Sequence, residues 1–503
     1  MKKILFAIVL LSLSVVSYGQ TAKAWLTSPA TRQLLEEQNE LQFASRTATP
    51  QCITINNNIE YQTIDGFGWM VNEGGAKLFK TRLQTDERQA LLREFYDTAE
   101  GLGAQVVRIS IGASDMSERP YTYSPSKDET LSNFSLNGPD KDYVIPVLKE
   151  ILAINPDIRI MAVPWTAPVW MKQNTKGRNG YMGGTLRTEY YALYAQYFVK
   201  YIQAMEAEGI HIWAVSPQNE PLHDGNNPSM TFTQETEYTF VNNHLGPALE
   251  AAGYGDVLIV GYDHNCDNTN FPVRVAKSNY VSGSAFHLYG GDISAMKRVY
   301  DLSHKDVFFT EQYTGANGDF GGDYTWHMQN VMLGSMENMS RCAIEWNIAA
   351  DINSEPHTDG GCSDCKGAVT VDNAGISSRN VSYYIVGTMS RVTQAGAVRI
   401  GATGASQFKH VAFRNPDGSL GIVAFNTGAK QSLSISLNNK VITYTVPSGA
   451  AVSILVPDAF TPSAIASAEA TPVSSPSYSP SGLITDKRYK GVIINNGKKT
   501  ISK

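Results

Sequence analysis

Two glutamates each follow directly on an apolar, β-branched stretch of the chain. Glu220 ends the stretch IHIWAVSPQNEP, and Glu311 follows DVFFT. Two carboxyl groups that face each other suit glycoside hydrolysis, in which one protonates the leaving oxygen while the other attacks the anomeric carbon or activates water. A lone glutamate is more typical of a solvated surface. The hypothesis therefore depends on one fold bringing both stretches together as strands.

Other strand-like stretches also end in polar or aromatic residues. Tryptophans there could simply belong to the core, but a tryptophan at a strand end can also offer a flat apolar face to the C–H side of a sugar ring. We favour the sugar-binding interpretation for Trp165 and Trp346. The residues predicted to accompany the two glutamates are Arg108, Asp115, Trp165, Asn219, His287, Tyr289 and Trp346.

Eight short apolar runs alternate with stretches of helical periodicity, a pattern typical of a parallel sheet covered by helices. We expect an α/β fold in which the eight strands close into a (β/α)8 TIM barrel with the active site at their C-terminal ends. An open doubly wound sheet is the alternative, but Gly66-Phe67-Gly68 is not followed by the glycine-rich phosphate loop of that fold. The runs are 64–71, 104–111, 157–164, 210–217, 257–262, 283–288, 306–310 and 342–347.

Four helices are predicted between these runs, each from a residue that can cap a helix N-terminus. They are Thr85 or Asp86 through Tyr96, Asp140 through Ile154, Thr188 through Glu208, and Asp292 through Leu302.

From about residue 396 the periodicity changes to two, which predicts an antiparallel β-sandwich domain appended to the barrel. VAFRNPDGSLGIVAFN is predicted to form one hairpin around Asp417-Gly418, and ITYTVPSGAAVSILVP a second. The strand-like stretch 50–63 is expected to join this sheet. The predicted organisation is a signal peptide (1–19), an N-terminal segment of the β domain (20–61), the barrel (62–392), the β domain (393–458), a Ser/Pro-rich linker (459–482) and a short basic tail (483–503).

The N-terminus and the composition indicate an exported soluble protein. Lys2 and Lys3 precede an apolar run too short to span a membrane, and Ser17-Tyr18-Gly19 offers a cleavage site before Gln20. The mature chain is therefore expected in the periplasm, at the cell surface or outside the cell. With 41 basic and 47 acidic residues and a net charge of −6, nucleic acid is not an expected partner.

Five cysteines exclude a dense disulfide framework. Cys362 and Cys365 form a lone CxxC beside His357, but a structural zinc site needs four ligands, and neither a second pair nor a matching histidine spacing follows. A local disulfide or two free thiols are both left open. No metal ion and no cofactor are predicted.

Several motifs together resemble glycoside hydrolase family 30, whose clan-A retaining members include glucosylceramidases and β-1,6-glucanases. The resemblance covers roughly residues 24–457. It rests on GFG at 66–68, VRISIGASD at 107–115, PWTAPVWMK at 164–172, PQNEP at 217–221, FHLYGG at 286–291, FTEQ at 309–312 and EWN at 345–347.

The resemblance implies a role for each predicted site residue. Glu220 matches the acid/base, Glu311 the nucleophile, and Asn219 the residue that holds the sugar 2-hydroxyl. Asp115, Trp165 and Trp346 match residues that cradle glucose, whereas Arg108, His287 and Tyr289 match residues that position the carboxylates. A nearby arginine would favour an ionised Glu311, and a less polar environment would keep Glu220 protonated.

The sequence departs from the glucosylceramidase pattern at Trp69 and at Gln218. We therefore expect a β-linked glucan or gluco-oligosaccharide, with β-1,6 linkages preferred, rather than a glycolipid. A glucosylceramidase-type β-glucosidase, a xylan-cleaving member of the family, a metal-dependent hydrolase and a non-catalytic glycan-binding protein are the alternatives. Retention of both glutamates weighs against the binding protein.

Overall fold

The structure is a computed structural model that describes residues 20–136, 138–177 and 179–460, followed by four short strands between 477 and 502. The predicted signal peptide lies outside the described residues. Among the residues that are described, no helix combines the length and the apolar character that a membrane span needs.

Eight parallel strands close into a barrel, as predicted. The fourth is only two residues long, whereas the fifth and sixth extend beyond the predicted runs, into the polar residues that follow them. The barrel strands are Gly66–Met70, Val106–Ser110, Arg159–Val163, Ala214–Val215, Leu258–Cys266, Val281–Gly291, Asp306–Glu311 and Ser340–Asn347.

The strands are apolar on both faces because one face packs against helices and the other fills the barrel. A separate buried cluster supplies the filling, with side chains such as Met161, Val260, Phe308 and Ile344 contributed by different strands. The first strand instead approaches its neighbour closely, since a Cβ at Gly68 would lie 1.8 Å from the Val106 carbonyl oxygen. The barrel is thus a packed core, and its functional surface lies at the strand ends.

Helices follow most of the strands. The α-helices are Glu73–Arg82, Thr85–Tyr96, Ile145–Ile154, Tyr191–Ala207, Gln234–Phe240, Gly246–Ala251, Asn270–Val275, Ala295–Ser303, Phe320–Trp326, Leu333–Glu337 and Val381–Ser390. Shorter 3-10 segments span Pro29–Thr31, Val169–Met171 and Thr188–Tyr190, and π-helical segments span Asp140–Val144, Val241–Leu245 and His327–Met332.

The predicted helix starts were wrong in detail. Thr85 is the first helical residue, with Gln84 before it at the N-cap, and the helix predicted from Asp292 begins only at Ala295. The Asp292 carboxylate accepts from the backbone N–H of Ser294 in a turn before the helix. Thr188 opens a 3-10 turn, and the α-helix starts at Tyr191. Short polar residues satisfy local turns as readily as caps, which limits their use as boundary signals.

A ten-stranded sheet forms the β domain and includes the N-terminal strands. Thr21–Ser28 pairs with Ala451–Val456, and Cys52–Thr63 pairs with Val398–Gly404. The strands are Thr21–Ser28, Gln33–Glu37, Leu41–Gln42, Cys52–Thr63, Val398–Gly404, Phe408–Arg414, Leu420–Asn426, Gln431–Leu437, Lys440–Val446 and Ala451–Val456.

The second predicted hairpin was wrong. Lys440–Val446 pairs with Gln431–Leu437 instead of with Ala451–Val456, which lies between Leu420–Asn426 and Thr21–Ser28. Asn438 and Asn439 both adopt left-handed backbone angles, with φ of 50° and 61°, which is the requirement of a tight two-residue hairpin turn. One pair in the sheet, between Gln431–Leu437 and Cys52–Thr63, is parallel.

Short strands complete the loops beyond the barrel. They are Lys172–Gln173 with Thr185–Leu186, Thr314–Gly315 with Cys365–Lys366, and Ala349–Ala350 with Val369–Asp372 and Gly375–Arg379. A separate C-terminal unit holds a four-stranded sheet of Ser477–Tyr478, Ile484–Thr485, Gly491–Asn495 and Lys498–Ser502. Its first strand lies in the range predicted as linker and the other three in the range predicted as tail.

Candidate active site

A cavity of about 340 Å³ opens at the C-terminal ends of the barrel strands. It contains both glutamates, together with Asp115, Trp165, Asn219, Tyr289 and Trp346 from the sequence-based prediction. Arg108 and His287, the other two predicted residues, are completely buried beneath it. The fold therefore brings all nine predicted residues to one place.

Arg108 is the centre of the charged cluster. Its Nη1 donates to Glu311 Oε2 at 2.5 Å, and its Nη2 donates to Asp263 Oδ2 at 2.8 Å and to Asn219 Oδ1 at 2.6 Å. The guanidinium also lies 5.2 Å from the Trp165 ring. A buried arginine beside two carboxylates compensates their charge and fixes their positions. Since Arg108 occupies the Asn219 carbonyl oxygen, the amide N–H groups of Asn219 are the part that can donate to a sugar hydroxyl.

His287 connects the acid/base candidate to the same cluster. Its Nδ1 lies 3.1 Å from Glu220 Oε1 and 3.6 Å from Glu311 Oε1, and its Nε2 lies 3.1 Å from Asp263 Oδ1. Thr310 donates to that same Asp263 oxygen at 2.6 Å. Because hydrogen bonds fix both ring nitrogens, the imidazole is held at a set angle between the carboxylates.

The expected less polar environment of Glu220 was wrong. Burial acts to raise the pKa of Glu220, but interactions with the imidazoles of His264 and His287 outweigh it and hold this pKa below its usual range. Burial acts to lower the pKa of His287, yet the carboxylates of Glu311, Asp263 and Glu220 raise it to about 9. These two shifts favour a proton on His287 over one on Glu220, and the two groups lie within hydrogen-bond distance of each other.

The two glutamates lie close together. One carboxylate oxygen of Glu220 and one of Glu311 are within 4.8 Å of each other, and His287 is within the same distance of both. Retaining glycosidases separate the two carboxyl groups by about 5–5.5 Å, whereas inverting enzymes leave about 6.5–9.5 Å for a water molecule. The short separation suits direct attack by one carboxylate on the anomeric carbon. The hydroxyl of Tyr289 donates to Glu311 Oε1 at 3.0 Å, so both oxygens of Glu311 accept hydrogen bonds.

The backbone at Glu220 is in the left-handed region, with φ of 47°, and Asp263 on the next strand has φ of 51°. Such angles are unfavourable for residues with a Cβ and persist where surrounding contacts enforce them. Here the Glu220 N–H donates to the Asp263 carbonyl oxygen at 3.0 Å, and the Asn219 N–H donates to that of Pro164 at 2.9 Å. These bonds hold the loop after the short fourth strand against its neighbours and fix Glu220 above the barrel.

Asp115, Trp165 and Trp346 form the part of the cavity predicted to hold the sugar. The two indole rings lie 5.4 Å apart and are tilted by 37°. Burial and the charges of Glu311 and Glu220 raise the pKa of Asp115 to about 7. Among the described residues, Asp115 Oδ1 and Trp165 Nε1 have no hydrogen-bond partner although both are buried. Buried polar atoms are normally paired, and these two are available to sugar hydroxyls.

The two departures used to argue against a glycolipid do not line the cavity. Trp69 is fully buried, and its Nε1 donates to Ser382. Gln218 is also fully buried and donates to the carbonyl oxygens of Trp165 and Asn219. Neither side chain touches the cavity, so they carry no direct argument about the substrate.

Sequence reasoning missed several residues of the site. Asp263 and His264 lie in the fifth strand, beyond Tyr262, where the predicted apolar run stopped. The signal was present, since three polar residues follow the apolar run at the same edge as the glutamates. The further cavity-lining residues are His223, Asn226, His264, Asn265, Tyr313, Cys362, Asp364 and Cys365.

A disulfide joins Cys362 to Cys365 at the edge of the cavity, which resolves the alternatives left open above. The backbone of Cys362 lies near the Asp115 carboxyl group and acts to lower its pKa. The Thr358 N–H donates to the Asp115 carbonyl oxygen at 2.9 Å. The loop that carries the disulfide therefore contacts a predicted sugar-binding residue from two sides.

Comparison with known proteins agrees with this geometry. The family model described as the glycosyl hydrolase family 30 TIM-barrel domain matches residues 64–360, and that of the family 30 beta sandwich domain matches residues 396–454. The chain belongs to glycosyl hydrolase family 30. As a member of this family it is a glycoside hydrolase, and its substrate is a glycan.

Three relatives show how similar the chain is to other members of family 30. An endo-1,6-β-D-glucanase of Aspergillus fumigatus is 33% identical over 417 residues, which are 77% of this chain and 82% of that protein. The lysosomal acid glucosylceramidase of Mus musculus is 27% identical, over 77% of this chain and 79% of its own. A solved endo-β1,6-glucanase matches with a TM-score of 0.81 at 34% identity, covering 87% of this chain and 100% of that chain.

Proposed function

We propose that the protein is a retaining β-glycosidase that hydrolyses β-1,6-linked glucan by double displacement. The observation that carries the mechanism is the separation of the Glu220 and Glu311 carboxylate oxygens, within 4.8 Å in a cavity at the strand ends. The relatives support the substrate, since endo-1,6-β-glucanases match at 31–33% identity and proteins named as glucosylceramidases at 27–30%.

In the first step, Glu311 attacks the anomeric carbon and the glycosidic bond breaks. Arg108 on Oε2 and Tyr289 on Oε1 hold the carboxylate in position for attack. The proton of the pair passes from His287 to Glu220 across their 3.1 Å contact, and Glu220 gives it to the leaving oxygen, so Glu220 is a carboxylate once the glycosidic bond has broken. The products are the free leaving alcohol and a glucosyl ester on Glu311.

In the second step, a water molecule attacks the same anomeric carbon from the side the leaving group vacated. Glu220, now a carboxylate, accepts the proton of that water, and Glu311 leaves as a carboxylate. Arg108 then faces the charge that returns to Glu311, which favours breakdown of the ester. Two inversions at one carbon give net retention of the β configuration.

The glucose unit is proposed to lie against Trp165 and Trp346, with Asp115 and Asn219 on its hydroxyls. Orphaned buried atoms at Asp115 and Trp165 support this placement, because a ligand would complete their hydrogen bonds. A metal ion or cofactor has no part in the proposed chemistry, which needs only the two carboxyl groups and their positioning residues.

The test is a comparison of kcat/KM on gentiobiose or the β-1,6-glucan pustulan, laminarin, cellobiose, xylan and glucosylceramide, with product anomers followed by NMR. We expect the β-1,6-linked substrates to give the highest kcat/KM and the first product to be the β anomer. A tenfold preference for xylan or the glycolipid, about 1.4 kcal/mol in transition-state binding, would overturn the substrate but not the mechanism. Initial release of the α anomer would overturn the mechanism.

We also propose that the enzyme acts outside the cytoplasm. The support is the N-terminal pattern of two lysines, an apolar run and small residues before Gln20. N-terminal sequencing of the protein recovered from its host should find a start at Gln20, and an intact Met1 would contradict export by this route.

A further inference from the structure

His264 lines the cavity, but the proposed mechanism gives it no role. It comes directly after Asp263 in the fifth barrel strand and is 7% exposed. In the part of the chain that the structure describes, its Nδ1 is buried and has no hydrogen-bond partner. That nitrogen lies 3.7 Å from Glu220 Oε1, beyond hydrogen-bond distance, and the same oxygen already faces His287 at 3.1 Å. A buried ring nitrogen at a cavity wall without a partner is unfavourable unless a ligand completes it.

We infer that His264 binds the sugar that leaves, and so defines a second subsite beside Glu220. This inference rests on the proposed function, in which Glu220 protonates the leaving oxygen. The leaving sugar must lie next to the acid that protonates it, and His264 is a cavity residue near that acid whose Nδ1 has no hydrogen-bond partner in the described structure. The glucose on the other side of the bond has its own residues, Asp115, Trp165 and Trp346.

The chemistry of a β-1,6 bond fits an imidazole at this place. The leaving oxygen is the primary O6 of the second glucose, and its nearest polar neighbours in that sugar are the ring oxygen and the 4-hydroxyl. One is an acceptor and the other can donate or accept, and a neutral histidine nitrogen can serve either according to its tautomer. His264 can therefore hold the leaving sugar while O6 stays within reach of Glu220.

The cavity that contains His264 also has an aromatic wall. The Tyr313 ring lines the same cavity and lies 5.7 Å from the Tyr289 ring, at an interplanar angle of 49°. Aromatic rings at a cavity edge offer an apolar face to the C–H groups of a sugar. Tyr289 itself is fixed by its bonds to Glu311 and by its N–H to Asn265 Oδ1 at 2.9 Å. This aromatic wall is thus anchored to the catalytic centre through Tyr289.

The competing explanation is that His264 acts only on the charge of Glu220. The two explanations differ in one reaction, the partition of the glucosyl-enzyme between water and a sugar acceptor. Both nucleophiles need Glu220 as base, so a change in Glu220 slows them together, whereas loss of an acceptor site slows only transfer to the sugar.

The experiment uses the full-length mature enzyme with 4-nitrophenyl β-glucoside as donor and methyl β-glucoside as acceptor. The ratio of methyl gentiobioside to released glucose is measured at initial rates for wild type, His264→Ala and His264→Gln. We expect His264→Ala to lower this ratio at least tenfold, and to lower kcat/KM on gentiobiose by at least tenfold more than on the aryl glucoside. His211→Ala, which removes an exposed histidine from the opposite end of the fourth barrel strand, is the matched control and should leave the ratio unchanged.

An unchanged partition ratio in both His264 variants would overturn the subsite, and so would a wild-type enzyme that transfers nothing to a saturating acceptor. Thermal unfolding shows whether each variant is folded. If the alanine variant does not fold, the same ratio is measured in His264→Gln, which keeps a polar group. If the wild type does not cleave gentiobiose, the proposed function has failed independently. The same ratio is then measured with a disaccharide that the wild type cleaves, and an unchanged value again overturns the subsite.

Discussion

The two ends of the barrel each carry a cluster of charges, and the clusters are built differently. At the N-terminal end, Arg341 donates to both oxygens of Asp65 at 2.7 and 2.8 Å and to Asp306 at 2.6 Å, while Arg159 donates to Asp65. Two arginines thus face two aspartates. At the C-terminal end, Arg108 and His287 face three carboxylates, those of Glu220, Asp263 and Glu311.

The two ends of the barrel also differ in how many of their buried polar atoms lack a hydrogen bond. Near the catalytic cluster, the described structure leaves buried polar atoms of Asp115, Trp165, Gln218, His264 and Gln312 without a hydrogen bond. The residues of the N-terminal cluster contribute none. A closed, charge-balanced network ties strands together, whereas an open one with excess negative charge is completed by a substrate. The N-terminal end therefore contributes stability, and the C-terminal end gives up stability for binding and catalysis.

Glu311→Ala should give the largest effect and separate catalysis from folding most clearly. Removing a nucleophile lowers kcat by about 10⁴-fold or more, so hydrolysis of an aryl β-glucoside should nearly vanish. The melting temperature should hold or rise, since one of three clustered carboxylates is lost. Azide should restore part of the activity and yield the α-glucosyl azide, because a small anion can fill the vacated position.

Glu100→Ala, at an exposed glutamate outside the cavity, is the control for Glu311→Ala and should behave as wild type. If azide instead rescued Glu220→Ala with the inverted product, the roles of the two glutamates would be exchanged.

Arg341→Ala tests the other end of the barrel. Loss of this arginine leaves the buried Asp65 carboxylate with Arg159 alone, and breaking such a pair costs about 3 kcal/mol of unfolding free energy. We expect a clear fall in thermal stability, while kcat/KM at 25 °C stays within about twofold because the catalytic cluster is untouched. The exposed pair Lys297–Asp301 supplies the control, since Lys297→Ala should cost about 0.5 kcal/mol or less. A fall in kcat/KM beyond that range, at a temperature at which the variant is still folded, would show that the two ends are coupled.

Much of the fold could be predicted from the sequence because the barrel strands are buried on both faces. Runs such as VVRIS and DVFFT are apolar without interruption and stand out from their surroundings. The strand QSLSISL escaped notice because four of its seven residues are polar, and the hairpin was then assigned to the wrong partners. Pairing between strands distant in the chain depends on tertiary packing that a local pattern does not contain.

The candidate site was likewise only partly predictable from the sequence. Its residue types at strand ends were sufficient to find Glu220 and Glu311. Their electrostatic environment was not predictable, because His287 reaches Glu220 from a strand more than sixty residues away. Asp263, which links Arg108 to His287, was missed for a simpler reason: the fifth strand continues past the apolar run that marked it.

The pH dependence of kcat/KM tests which group of the catalytic cluster holds the proton that the reaction needs. The raised pKa of His287, about 9, means that the proton of the His287–Glu220 pair is retained below that pH and lost as pH rises through it. We expect kcat/KM on gentiobiose, which needs the acid, to fall as pH rises through about 9. In His287→Gln the carboxyl group of Glu220 holds the proton alone, so the alkaline limb should move to lower pH. An alkaline limb at the same pH in both proteins would show that His287 does not share the catalytic proton.

The smallest effect is expected at the disulfide loop, which belongs to the catalytic end but carries no charge of the cluster. In Cys362→Ser/Cys365→Ser the loop gains conformational freedom, worth about 2 kcal/mol for a four-residue ring. This loss of order stays local because Gly315 and Thr314 still pair with residues 365 and 366. Asp115 would then be held less firmly. KM for an aryl glucoside should rise by a few fold while kcat and the melting temperature change little.

Dithiothreitol should reproduce the effect of the double serine variant on the wild type and have no effect on that variant, although the free thiols Cys52, Cys266 and Cys342 are present in both. Because the loop holds Asp115 through the Thr358 N–H, a fall in kcat at constant KM would assign the loop to the chemical step instead. Unchanged KM and kcat would mean that Thr358 and the barrel position Asp115 without help from the disulfide. The catalytic end would then hold its residues as firmly as the N-terminal end does, although some of its buried polar atoms lack hydrogen bonds.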